Sequence, residues 1–249
     1  MPCSRPHARA AFVTSIRLSQ TLSRSTATTQ PSEWLRRTLS VSVAALGLLV
    51  TAPLMAGIAL VIKLTSRGPV FFTQPRIGLD RRAGKHSLDR NRRGTDCGGK
   101  PFMIYKFRTM SSNGNGHSSN GDGSQQVWAQ PNDPRVTRIG RLLRLYRLDE
   151  LPQLLNVLIG DMDIVGPRPE QPAIFERLRT QIDRYQERQR VRPGITGWAQ
   201  INLNYDTSVE SVRTKVSYDL EYVERQSVLE DVRIMLRTVP VVVFKRGAW

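Results

Sequence analysis

The chain has 249 residues, enough for one ordinary domain, and carries a formal net charge of +16 at pH 7 with a pI near 10.9. Such a basic balance implies an anionic partner, whether nucleic acid, anionic lipid or a phosphorylated substrate. Cys3 and Cys97 support neither a disulfide framework nor a cysteine metal site, and His7, His86 and His117 fall in segments with no packing pattern, which argues against serine–histidine and cysteine–histidine catalysis.

Residues 1–32 hold Arg, Ser and Thr but no acid, and read as a basic, disordered tail. A transit peptide shares this composition; a secretory signal fits poorly, because the first apolar run begins only at Leu39. That run, Leu39–Ile62, is uncharged and long enough to cross a hydrocarbon core of roughly 30 Å. Arg36 and Arg37 before it and Lys63 and Arg67 after it give no inside–outside bias. Pro53 lies past its middle. A re-entrant segment broken at Pro53, with both ends on the cytoplasmic face, is expected for residues 33–67; a simple span and a buried core helix are the alternatives.

Gly68-Pro-Val-Phe-Phe-Thr-Gln74 and Pro101–Met110 have strand composition, and residues 68–249 are expected to form one domain after the apolar run. Residues 80–99, rich in Arg and Gly, and the Gly/Ser/Asn tract 111–124 read as flexible insertions. Lys106 and Arg108 alternate on one side of the second strand and can face phosphate. Arg138, Arg141, Arg144 and Arg147 then recur every third residue, with Arg144 the candidate phosphate ligand among them.

Leu151, Leu154, Leu155 and Leu158 have helical spacing, Pro152 suits a helix start and Gly160 a stop. Asp149 and Glu150 then sit at the N-terminus, where unpaired N–H groups favour ionised carboxylates. Asp149 is thereby expected to be anionic, as a nucleophile or a metal ligand. In Gly166-Pro-Arg-Pro169 two prolines stiffen the segment that presents Arg168, a second candidate for phosphate. Pro172–Arg190 reads as a charged helix with Ile174, Phe175, Leu178 and Ile182 on an apolar side that can lie at a membrane interface; Ser208–Val223 and Leu229–Val239 are also helical by pattern. The glycine-rich stretch Pro193-Gly-Ile-Thr-Gly-Trp-Ala-Gln200 lacks the spacing and ending of a phosphate-cradling P-loop.

Lys106-Phe-Arg-Thr-Met110, Leu148-Asp-Glu-Leu-Pro-Gln153, Asn156-Val-Leu-Ile-Gly-Asp-Met162, Val165-Gly-Pro-Arg-Pro169 and Pro193-Gly-Ile-Thr-Gly-Trp-Ala-Gln200, five blocks in order, resemble the bacterial sugar transferases, monotopic polyprenyl-phosphate phosphoglycosyl transferases. The resemblance covers about residues 34–249, and the C-terminal part most resembles members serving exopolysaccharide assembly. It implies an α+β fold, a small mixed catalytic domain with a re-entrant membrane helix and interfacial amphipathic helices, at the cytoplasmic face of the bacterial inner membrane. It also implies transfer of a sugar 1-phosphate from a nucleotide diphosphate sugar to a polyprenyl phosphate through an aspartyl–phosphosugar intermediate on Asp149. Mg²⁺ is implied as cofactor, held by Glu150 with Asp149, while Arg144 and Arg168 neutralise charge. Anionic inner-leaflet lipid is an expected partner, homo-oligomerisation is left open, and nucleic acid is not expected because no nucleic-acid motif is present.

Two other classes compete. Asp161-Met-Asp163 can be read as the Asp-x-Asp metal motif of a glycosyltransferase that releases a nucleoside diphosphate, although Asp163 stands where the family commonly has a small hydroxyl residue. The charge alone also allows a non-enzymatic basic protein that binds a membrane surface.

Overall fold

The computed structural model describes residues 31–80, 98–111, 133–203 and 209–244. The expected tail up to residue 30, most of the insertion 80–99 and nearly all of 111–124 lie outside the described residues, while Pro31 and Ser32 belong to the first helix.

Helix α1 spans Pro31–Thr65, 35 residues with a glutamate in its first turn and a lysine in its last, signs that suit the helix dipole. It is long and apolar enough to cross a membrane. Helix α1 continues through Pro53 without a non-helical residue, and a proline inside a helix kinks it rather than ending it. Proline deletes one donor and crowds the preceding turn, a cost of about 3 kcal/mol. A helix rich in Ala and Leu on either side can absorb that without ending.

Both ends of α1 are fastened to the rest of the protein. Near its start, Arg36 donates through Nε to Asp231 (2.8 Å) and through Nη2 to the Tyr222 hydroxyl (2.6 Å), while Arg37 donates to the Met162 carbonyl and to Asp163, both at 2.7 Å. Ala44 is fully buried one turn beyond Ser40, whose Oγ accepts from the Ile164 N–H. Near its end, Ile58 and Ile62 pack with Phe107 and Leu143. Between these anchors Leu46, Leu49, Val50, Leu54 and Leu60 are exposed.

Strands β1 (Phe71–Ile77) and β2 (Pro101–Phe107) form an antiparallel pair with Phe71 opposite Phe107 and Ile77 opposite Pro101. Helix α2 (Arg138–Leu145), capped by the Thr137 hydroxyl on the Gly140 N–H, leads into a 3-10 turn at Leu148–Glu150 and then helix α3 (Gln153–Ile159). Strand β3 (Asp163–Val165) pairs in parallel with β4 (Gly194–Thr196). Between them lie α4 (Pro172–Gln181) and a 3-10 segment at Tyr185–Arg190; α5 (Trp198–Asn202), α6 (Val209–Arg225) and α7 (Val228–Val243) complete the chain. Helices and small sheets mix as expected for an α+β chain.

The main core joins Phe102 and Ile104 of β2, Val157 of α3, Val165 of β3 and Ile234 of α7. A second cluster corrects the reading of α4 as interfacial: Phe175, Leu178 and Ile182 turn inward onto Ile77, Tyr185, Val212 and Val216. The expected single helix to Arg190 is also divided, because Arg184 adopts a left-handed backbone (φ 58°) between α4 and the 3-10 segment.

Candidate active site

Asp149 and Glu150 are positioned by a chain reversal. After α2, Arg147 takes a left-handed conformation (φ 54°), and its carbonyl accepts from the Glu150 N–H at 3.2 Å to open the 3-10 turn. A non-glycine residue there costs on the order of 1 kcal/mol and persists only where its surroundings hold it. Asn156, fully buried in α3, links this region to β2: its Oδ1 accepts from the Tyr105 N–H (3.0 Å) and its Nδ2 donates to the Met103 carbonyl (2.7 Å). Lys106 is thereby set opposite Glu150.

Glu150 is buried and ion-paired twice, to Lys106 Nζ at 3.1 Å and to Arg168 Nη2 at 2.6 Å. Burial works to raise its pKa, but the charges of Arg168 and Lys106 overturn this and hold the carboxyl well below the usual range. Asp149 differs. Among the described residues it makes no ion pair, and burial followed by the adjacent Glu150 charge pushes its pKa up to about 6, against the pull of Lys106, Arg144 and Arg168. The expectation that a helix N-terminus stabilises the Asp149 anion is corrected, because α3 begins only at Gln153 while burial and the neighbouring Glu150 charge disfavour the ionised form. The neighbouring Lys106 ammonium is lowered by its burial, against the attraction of Glu150.

Arg168, expected as a phosphate ligand, reaches Glu150 from the Pro-Arg-Pro segment. That segment packs tightly on the stretch before and within β4: a Cβ on Gly166 would lie 2.3 Å from the Arg192 carbonyl oxygen, and one on Gly194 2.1 Å from the Gly166 nitrogen. The glycines of Pro193-Gly-Ile-Thr-Gly197 thus serve backbone approach. Behind it, Arg188 pairs with Asp219 at 2.7 Å and donates to the Arg168 carbonyl at 3.1 Å, and Lys215 pairs with Glu170 at 3.2 Å.

Arg144 stands at the end of α2 with Nε donating to the Thr109 hydroxyl at 2.9 Å, close enough to act on Asp149 electrostatically. Arg138 and Arg141 are exposed. Arg108 is not brought to the carboxylates: its guanidinium donates to the carbonyls of Ser66 (2.8 Å) and Arg67 (2.7 Å) and to the Ser66 hydroxyl (2.7 Å), just past the C-terminal end of α1. Asp161 and Asp163 do not converge either. Asp161 meets Lys100 at 3.3 Å, while Asp163 is buried against Arg37, so the Asp-x-Asp reading loses its geometry.

Two residues near the carboxylates escaped the sequence reading. Arg76 was missed because the first strand was read to end at Gln74, before Pro75, whereas β1 continues to Ile77. Gln153, only 1% exposed, has a buried Nε2 with no hydrogen-bond partner. Its helical spacing from Asp149 was the available signal.

Adjacent carboxylates supply the hard oxygen donors that Mg²⁺ takes, and one or two of them completed by substrate phosphates suffice for that ion. Asp149 and Glu150 are the pair that would supply those donors, and among the described residues no third metal-ligating side chain joins them. Such a setting suits attack by a carboxylate on a phosphorus centre amid fixed cations.

A small α+β body is thus fastened to a helix long and apolar enough to cross a membrane, and it holds adjacent carboxylates among several cations. Residues 31–245 match the family described as Bacterial sugar transferase, and the chain belongs to that family. It is 41% identical over 207 residues to the UDP-glucose:undecaprenyl-phosphate glucose-1-phosphate transferase of Escherichia coli, covering 82% of this chain and 39% of that protein. It is 37% identical over 215 residues to the UDP-N-acetylgalactosamine-undecaprenyl-phosphate N-acetylgalactosaminephosphotransferase of Aeromonas hydrophila, covering 86% and 45%. The exopolysaccharide production protein PSS of Rhizobium leguminosarum bv. phaseoli is 37% identical over 213 residues, covering 82% of this chain and 93% of that protein. The matched region thus spans less than half of the first two relatives and nearly all of the third.

Proposed function

We propose that the chain transfers a sugar 1-phosphate from a UDP-sugar to undecaprenyl phosphate, the substrate pair that relatives' names carry. The observation that carries the reading is the division of labour between adjacent carboxylates: Glu150 absorbs Lys106 and Arg168, leaving Asp149 without an ion pair of its own among the described residues.

An Asp149 oxygen attacks the sugar-bearing phosphorus. The bond from that phosphorus to the bridging oxygen breaks, and UMP leaves with the electron pair. An oxygen of the lipid phosphate then attacks the aspartyl–phosphosugar, the acyl phosphate P–O bond breaks, and Asp149 is regenerated as a carboxylate beside a polyprenyl diphosphate sugar. Arg168 and Arg144 supply fixed positive charge for the phosphoryl oxygens, and Glu150 holds Arg168 and Lys106 in place. Mg²⁺, when bound at Asp149 and Glu150 together with substrate phosphate, would neutralise phosphate charge.

The placement we infer is monotopic, with α1 entering and leaving the same cytoplasmic face of the inner membrane and anionic inner-leaflet lipid around its basic flanks. Its support is the fastening of both ends of α1 to one folded body, through Arg36 and Arg37 at the start and through Ile58, Ile62 and the Arg108 clamp at the end. A straight helix from Arg36 to Ser66 would be about 45 Å long, so a simple span would set those contacts on opposite sides of the bilayer. Incubating membranes that contain the chain with UDP-sugars and undecaprenyl phosphate tests the activity. UMP release is expected; UDP release would point instead to a glycosyltransferase.

A further inference from the structure

Resting on the transferase reading above, we propose that Arg76 is a further cation of the substrate site and binds the diphosphate of the nucleotide sugar, alongside Arg168 and Lys106. Strand β1 carries its guanidinium toward the Pro-Arg-Pro segment, where Nη1 donates to the Pro169 carbonyl at 3.1 Å and Nη2 to the Gln74 side-chain oxygen at 3.1 Å. Both acceptors are neutral. The third donor, Nε, is buried and has no hydrogen-bond partner.

The carboxylates around it are already taken. Glu150 pairs with Lys106 and Arg168, and Glu170 with Lys215. Among the described residues Arg76 forms no ion pair of its own, although Glu150, Arg168, Glu170 and Lys106 all lie within its electrostatic reach. A desolvated cation left without a counterion is unfavourable, and removing charges from water is offset only by close, well-bonded partners. Consistent with this, burial pushes Arg76 down to about 10, against the attraction of Glu170, and the like charge of Arg168 adds to the fall. A phosphate oxyanion is the counter-charge this geometry lacks, and hydrogen bonds between ionised partners are the strong ones.

The competing role is structural: Arg76 would merely tie β1 to Pro169. Titrating UDP alone into the full chain in lipid nanodiscs, by calorimetry, separates the two without requiring turnover. Arg76→Gln is expected to weaken UDP binding about tenfold or more, and Arg76→Lys, which keeps the charge, by less than about threefold. Thermal melting of the same samples reports folding. UDP affinity unchanged in a folded Arg76→Gln protein, or Arg76→Lys losing as much affinity as Arg76→Gln, would overturn the proposal. If the Gln variant does not fold, the Lys variant decides: tenfold weaker binding there also overturns it. Failure of the unaltered chain to release UMP from any UDP-sugar would instead defeat the transferase reading, a separate result.

Discussion

Asp149 and Glu150 are adjacent in sequence, yet their environments drive them in opposite directions. Asp149, raised to about 6, has a folded pKa above its unfolded value, so the folded state binds the extra proton and stability falls as pH rises from about 4 to 6. At pH 7 the ionised carboxylate is a standing cost on the order of 1–3 kcal/mol. Asp149→Asn is therefore expected to abolish turnover and covalent trapping of sugar phosphate while raising the melting temperature, and activity of the unaltered chain should rise with pH towards a plateau above about 6. Glu150, with a lowered pKa, contributes stability above its unfolded value that is lost in acid. Glu150→Gln strands Lys106 and Arg168, so it should lower the melting temperature, by roughly 3–5 kcal/mol of stability if the cations cannot reach water. A Glu150→Gln protein as stable as the parent would contradict the assignment of that carboxylate as the anchor. The carboxylate pair and Arg168 were legible because they depend on local features, adjacency and flanking prolines. Arg76 and Asn156 depend on which strand and helix meet, which spacing along the chain does not encode. Arg108 looked like Lys106 by alternation, but the end of α1 claims it. Arg108→Ala should accordingly leave the KM for the nucleotide sugar within about twofold and lower thermal stability, since lost backbone hydrogen bonds cost about 1 kcal/mol each; a KM rise of tenfold at unchanged melting would return it to the substrate site.

Among the elements, α1 shows what pattern can and cannot tell. Its length, lack of charge and flanking arginines were readable from composition; its continuity through Pro53 was not, because a proline penalty decides only when neighbouring turns cannot hold the helix together. Its fastening was not readable either. Arg36 and Arg37 looked like solvated membrane flanks, but Arg36 is buried against Asp231 and Tyr222, and Arg37 reaches Asp163. Asp163, the departure from the family's usual hydroxyl residue, thus finds a partner in α1. Removing both acids, Asp163→Ala with Asp231→Ala, should free the N-terminal end of α1. With Cys97 replaced by Ser, an impermeant thiol reagent on intact cells should leave Cys3 unlabelled in the parent and label part of the population of the double variant. Labelling of Cys3 in the parent would contradict same-face placement. Element types were largely legible in α6 and α7, whose boundaries moved by only a few residues. The apolar side of α4 was legible as a face but not as a core face, since an inward neighbour and a membrane demand the same stripe.

For the whole molecule, the 37 lysines and arginines find two uses. Some of the cations are internal, spent on Glu150, Asp219, Glu170, Asp231 and Asp163. Others, such as the exposed Arg138 and Arg141, remain on the surface of the body that carries α1 and suit an anionic leaflet. The fold joins these two roles, since the same α1 whose exposed apolar side chains suit lipid also packs against the strand bearing Lys106. The proposed transfer requires Asp149 to form a covalent phosphosugar and to expel a nucleoside monophosphate. The most direct measurement is a single-turnover reaction of the nanodisc-embedded chain with a UDP-sugar labelled at the sugar-bearing phosphate, without acceptor lipid, followed by nucleotide identification and peptide mass spectrometry. One UMP released per labelled protein is expected, with the sugar phosphate on the peptide containing Asp149 and discharged by undecaprenyl phosphate. UDP as the released nucleotide, or label retained in the Asp149→Asn protein, would contradict it.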